Sequence, residues 1–146
     1  FVEIIICKEE IYIIFFYESA FCFLQKFHFG SEIILKDISK ICSLEVQNVR
    51  NIISDFNYEK LNQDMYLDKK YFEEKKFKKI SHKHLKEIAS ARIEEIANII
   101  FNQNKNLNNF QLKKTNLYLN LEDKNLYKLA ELIELKESLI NAEATL

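Results

Sequence analysis

Phe29-Gly30-Ser31-Glu32-Ile33-Ile34-Leu35-Lys36-Asp37-Ile38 is the stretch on which the fold turns. It contains the one glycine of the chain, and the hydrophobic period changes across it. Three short runs rich in β-branched and aromatic residues lead up to it: Ile4-Ile5-Ile6, Ile11 to Tyr17 and Phe21 to Phe29. Lys8-Glu9-Glu10 and Glu18-Ser19-Ala20 separate them. Runs this short, built of these side chains, read as strands, so a three-stranded meander ended by Gly30 is expected. Beyond the glycine, Ser31 reads as an N-cap, and Ile34, Ile38 and Ile41 recur at near-helical spacing.

Working outward, Ser43 reads as a second cap, opening a helix with Val46, Val49 and Ile53 on one face and Glu45 in its first turn. Residues 57–79 are polar and aromatic without a clear period, with room for short strands near Met65-Tyr66-Leu67 and Lys76 to Ile80. The clearest helix runs from Ser81 to about Phe101 on a stripe of Leu85, Ile88, Ala89, Ile93, Ile96 and Ile100. Lys83 and Glu87 are spaced to pair on its exposed side. An Asn-rich loop, Asn102 to Asn109, precedes an alternating strand, Asn116 to Leu121. A last amphipathic helix begins near Glu122 and carries Leu126, Leu129, Ala130 and Ile133. Strands, helices, a variable insert, a helix, a strand and a helix make an α/β plan.

Composition limits the function classes. With 146 residues, 48% hydrophobic and 13% aromatic, the chain has material for about one domain with a core. One glycine and no proline remove the usual turn punctuation, and the skew toward Lys, Asn, Ile and Phe is that of an AT-rich genome. A net charge of −1 provides no field for nucleic acid or acidic lipid. Cys7, Cys22 and Cys42 lack metal spacing and read as small hydrophobes in a reducing cytosol. Ile11 to Leu24, the most apolar run, is broken by Glu18 and Ser19, short of a membrane span. The chain opens at Phe1 rather than Met, with no basic leader, and is expected to be a piece of a longer cytosolic protein.

Two blocks narrow the α/β plan. The Phe29–Ile38 stretch resembles the V-G-G-D-x-I-T-x-D-I block of the bacterial cell-division protein FtsA: Gly30, Asp37 and Ile38 match, Glu32 is a conservative change, and Leu35 departs from the threonine. Ser81, Leu85, Ile88, Arg92, Glu95 and Ile96 are spaced as in the family's S-R-x-x-L-x-x-I-I-x-x-R-x-x-E-I helix. The resemblance implies an actin-like second lobe: residues 1–54 and 114–146 as a ribonuclease-H-like subdomain, with 55–113 as a smaller inserted one. It also implies an ATP- and magnesium-binding, filament-forming adaptor on the cytoplasmic face of the inner membrane, linking FtsZ to the division site. The first lobe and the membrane-targeting tail would lie outside this chain.

The resemblance also marks what has changed. The family's phosphate hairpin, D-x-G-x-x-T-T-D, falls on Ile5 to Tyr12, where Lys8-Glu9-Glu10 replace the small turn residues. Its E-x-x-K positions fall on Asn48 and Asn51, and its T-G-G-G on Asn120-Leu121-Glu122-Asp123. Glycine lets backbone approach phosphate closely, and carboxylates repel it. Gly30 and Ser31 alone stay as nucleotide-side candidates, so reduced nucleotide binding and a scaffold role are expected. Alternatives are an active actin-like ATPase completed by missing sequence, a pilus-assembly actin homologue, and a stand-alone interaction domain.

Within the family, the acidic C-terminal peptide of FtsZ binds the small subdomain partly through basic residues of the Ser81 helix, which here implicates Lys83 and Arg92. The competing reading has Arg92 pairing with a glutamate of its own helix. His82 and His84 point about 200° apart on a helix and read as solvated rather than as metal ligands. His28 has no nucleophile beside it and reads as a strand residue. The Lys- and Tyr/Phe-rich stretch from Lys69 to Lys86 is interrupted by Glu73 and Glu74, and reads as a solvated face rather than a nucleic-acid platform. The last helix has an acidic polar side, Glu131, Glu134, Glu137 and Glu143, which suits core packing better than a membrane surface.

Overall fold

The computed structural model describes residues 1–55, 65–110 and 116–123, and over these the chain is a mixed α/β fold. β1 (Val2–Ile6), β2 (Ile11–Tyr17) and β3 (Ala20–Phe27) form the antiparallel meander. β4 (Leu117–Leu121) lies parallel to β1, giving the order β3-β2-β1-β4. Val2 stands between Phe15 and Leu117, Ile4 between Ile13 and Leu119, and Ile6 between Ile11 and Leu121. Side chains alternate across a strand, so this register collects the branched residues on one face, where Val2, Ile4, Ile11, Ile13 and Phe15 are fully buried.

Among the described residues four α-helices accompany the sheet. α1 (Glu32–Cys42) buries Ile34, Leu35 and Ile38, and α2 (Val46–Asp55) buries Val49, Ile52 and Ile53. α3 (His82–Ala97) buries Leu85, Ile88, Ala89 and Ile93, packs on α1, and runs on into a single π turn, Asn98–Asn102. α4 (Lys105–Asn109) follows. Leu67, Ile80, Leu107 and the α3 stripe belong to the same buried cluster as the sheet and α1. The last amphipathic helix falls outside the described residues from 124 onward.

Several local expectations change. Ser31 does not cap α1: its backbone is already helical and its hydroxyl is used elsewhere. Ser43 is not the start of α2 but the left-handed end of α1, at φ 54°, with its N–H bonded to the Ser39 carbonyl. A chain nearly without glycine closes this helix with serine, and the Ser39 hydroxyl helps by donating to the Leu44 carbonyl at 2.5 Å. Glu18 and Ser19 are left-handed as well, the pair that a tight hairpin between twisted strands requires. The Asn-rich loop folds into the π turn and α4, because the Asn104 side chain caps α4 by accepting from the Asn106 and Leu107 amides. Met65–Leu67 and Lys76–Ile80 form no strands; a single antiparallel bridge joins Tyr66 to Ser81, flanked by Leu67 N–H to the Ile80 carbonyl. Ser81, where the clearest helix was expected to begin, caps α3 by accepting from the His84 amide at 3.1 Å.

Candidate functional site

Three segments far apart in sequence meet at one end of the sheet: the β1–β2 turn, the start of α1, and the residues that follow β4. Gly30 brings the first two together. The Ser31 and Glu32 amides donate to the Cys7 and Lys8 carbonyls at 3.0 and 2.9 Å. A Cβ on residue 30 would stand 2.7 Å from the Lys8 carbonyl oxygen and nearer still to that of Cys7. Gly30 is therefore demanded by an approach of backbone to backbone.

The third segment is tied in by side chains. Ser31 donates its hydroxyl to Asp123 at 2.5 Å, a link between buried groups spanning 92 positions. The Cys7 thiol donates to the Glu122 carboxylate at 3.3 Å. Burial, and then that carboxylate, push the Cys7 thiol up to about 11, so it stays protonated and poorly nucleophilic near neutrality. The positions that the resemblance marks as phosphate-facing thus converge in space, but they bond to one another.

Outside this junction lies a cleft of about 460 Å³ bordered by Lys8, Glu9, Glu10, His28, Glu32 and Lys36 among others. Two of its carboxylates, Glu10 and Glu32, are paired within the chain. Lys26 meets Glu10 at 2.5 Å and the Tyr12 hydroxyl donates to the same carboxylate, holding Glu10 below the usual carboxylate range. Arg50 of α2 pairs with Glu32 of α1. A nucleotide triphosphate with magnesium does not fit here. The first amides of α1 are taken by carbonyls, Gly30 leaves no gap, Glu9 and Glu10 line the cleft, and the Ser31 hydroxyl is taken by the buried Asp123. Asn48 and Asn51 sit on α2, where Asn51 accepts from Gln47 at 3.2 Å rather than bracketing a ribose.

The partner candidates do not form one patch. Lys83 and Arg92 are nine positions apart on α3, half a turn out of phase at 100° per residue. Lys83 is exposed. Arg92 faces α1, pairing with Asp37 and, at 2.7 Å, with Glu95. The Asp37 contact keeps the guanidinium firmly protonated. The pairing with Glu95 is the one expected within its own helix, and the pairing with Asp37, which no local spacing announces, bolts α3 to α1. Glu87 is approached by His84 Nδ1 at 3.7 Å, in place of the expected Lys83 pairing.

Sequence reasoning passed over Asp123 and Asp37 as working residues. Asp123 entered only as a lost glycine and Asp37 only as a motif match; their partners lie 92 and 55 positions away, beyond any local spacing rule. In the basic aromatic stretch, Lys79 lies over Tyr66 at 4.4 Å, Lys69 over Phe77 at 5.4 Å, and Lys76 meets Glu73 at 2.7 Å. Among the described residues no helix is long and apolar enough to cross a membrane.

No protein-family model matches the chain, and no curated protein matches it.

Proposed function

We propose that the chain is part of a cell-division adaptor resembling FtsA, contributing a ribonuclease-H-like subdomain of an actin-like second lobe and acting as a scaffold rather than as an ATPase. The observation that carries the reading is the convergence of Cys7–Lys8, Gly30–Ser31 and Glu122–Asp123 at one end of a sheet ordered β3-β2-β1-β4. A meander extended beside its first strand by a parallel strand, with helices between, is the arrangement such a subdomain requires. The two sequence blocks provide the link to FtsA within that fold class.

On this reading the partner is the acidic C-terminal peptide of FtsZ, with self-association into filaments as a second contact. Membrane attachment at the division site would come through a tail outside these residues. Lys83 stands on the exposed side of α3 with Lys86, three positions on, also exposed. Two cations at that spacing share a helix face and complement an acidic peptide. Arg92 supports the same helix from behind through Asp37.

The test is fluorescence anisotropy with a labelled FtsZ C-terminal peptide, using the wild type, Lys83→Glu and Arg92→Gln, each checked by melting. Micromolar binding weakened at least tenfold by Lys83→Glu in a folded sample supports the adaptor. Absence of binding by folded wild-type protein removes it.

A further inference from the structure

The nucleotide that the FtsA resemblance implies does not fit, and the misfit has its own construction. A helix N-terminus attracts anions because its first amides lack partners and its dipole is positive there. At α1 those amides have partners: Ser31 and Glu32 donate to the turn carbonyls of Cys7 and Lys8. The Ser31 hydroxyl, which could reach a phosphate oxygen, reaches Asp123 instead at 2.5 Å. Asp123 is only 4% exposed and Ser31 3%, so the carboxylate is enclosed with its donor. Glu122, beside it, takes the Cys7 thiol hydrogen.

We propose that Asp123 is a built-in anion for the N-terminus of α1, closing the junction of turn, helix and β4 so that the chain keeps this site shut without nucleotide. The family reading matters to this only by placing nucleotide there; the closure rests on the distances above. A carboxylate at the first turn of a helix is favourable electrostatically, and it is tethered by β4, so it is always present at high effective concentration. The same geometry makes Ser31 and Asp123 one unit: removing either group deprives the other of the contact.

Differential scanning fluorimetry of the whole chain tests this, with Mg-ATP and with inorganic pyrophosphate up to millimolar concentration. Ser31→Ala, Asp123→Asn and the double variant are run in parallel. The wild-type midpoint is expected to stay fixed with either ligand, since a ligand bound only by the folded state would raise it. Each single variant is expected to melt lower, and the double variant no lower than the worse single one. A saturable rise of the wild-type midpoint with Mg-ATP or pyrophosphate overturns the proposal, as do additive losses in the double variant or single variants that melt like wild type. If the variants fail to fold, the wild-type titration decides alone. An ATP-dependent rise would leave the adaptor reading standing, whereas a fixed midpoint with no FtsZ-peptide binding would remove that reading and keep the closure.

Discussion

Gly30 touches two backbone carbonyls, so the smallest possible addition is informative. Gly30→Ala must push the β1–β2 turn away from α1, and overpacking of this kind costs about 1–3 kcal/mol; the drop is read from a urea midpoint. The thiols give a second check. Cys22 is exposed on β3 and Cys42 is buried, while Cys7 is held protonated by its surroundings. Iodoacetamide at about pH 8 should therefore modify Cys22 first, with Cys7 and Cys42 lagging until the chain unfolds; equal labelling of Cys7 would contradict its bond to Glu122. His82 carries a pH dependence. Burial lowers its pKa, with a hydrogen bond donated to the Tyr66 backbone carbonyl working the other way. A folded pKa below the unfolded one means that the unfolded chain binds more protons in between. Its contribution to stability is thus complete above the ordinary histidine value of about 6.5 and is lost as pH falls through the folded pKa. His82→Gln should narrow the difference in urea midpoint between about pH 8 and pH 5. At this scale the sequence offered Gly30 and Ser31 as a nucleotide-side approach, whereas Gly30 lies against the Cys7 and Lys8 carbonyls. A glycine required by phosphate and one required by a carbonyl look alike in one dimension.

Between elements, Arg92 joins α3 to α1. Arg92 and Asp37 side chains are 26% and 24% exposed, and Glu95 shares the guanidinium. Partial burial lifts such a pair above the surface norm, so a double-mutant cycle of Arg92→Gln and Asp37→Asn should give a coupling of about 0.5–2 kcal/mol. A coupling near zero would mean that Glu95 alone satisfies the arginine. Helix existence was legible here wherever apolar residues kept a 3.6 period, as from Leu85 to Ile100. Helix ends were less so. Serine at 31, 43 and 81 is the same residue in three roles: hydroxyl donor to Asp123, left-handed stop of α1, and true cap of α3. Only the last obeys the local rule, because at 31 and 43 tertiary contacts and the shortage of glycine set the outcome.

At the scale of the whole molecule, the pattern of short β-branched runs announced the meander. The parallel pairing of β4 with β1 was not announced, because nothing local in Leu117–Leu121 encodes a partner over a hundred positions earlier. That pairing leaves β3 at an edge of the sheet, and β3 is an apolar edge: Phe21 is 62% exposed and Leu24 48%. Across the register Leu24 stands opposite Ile14, on the face away from the helices that bury Phe15 and Ile13. Long apolar edges pair with other chains unless a charge interrupts them, and here Lys26 is the one cation on the strand and is already engaged by Glu10. Leu24→Lys adds a second charge where the side chain meets solvent. It should cost no more than about 0.5 kcal/mol of stability, the usual range for exposed sites, while sharply lowering light scattering during refolding at micromolar concentration. If the midpoint instead falls by several times that amount, Leu24 is packed under some other part of the protein. The apolar face beside β3 would then be an interior surface of the assembled molecule rather than the source of its aggregation.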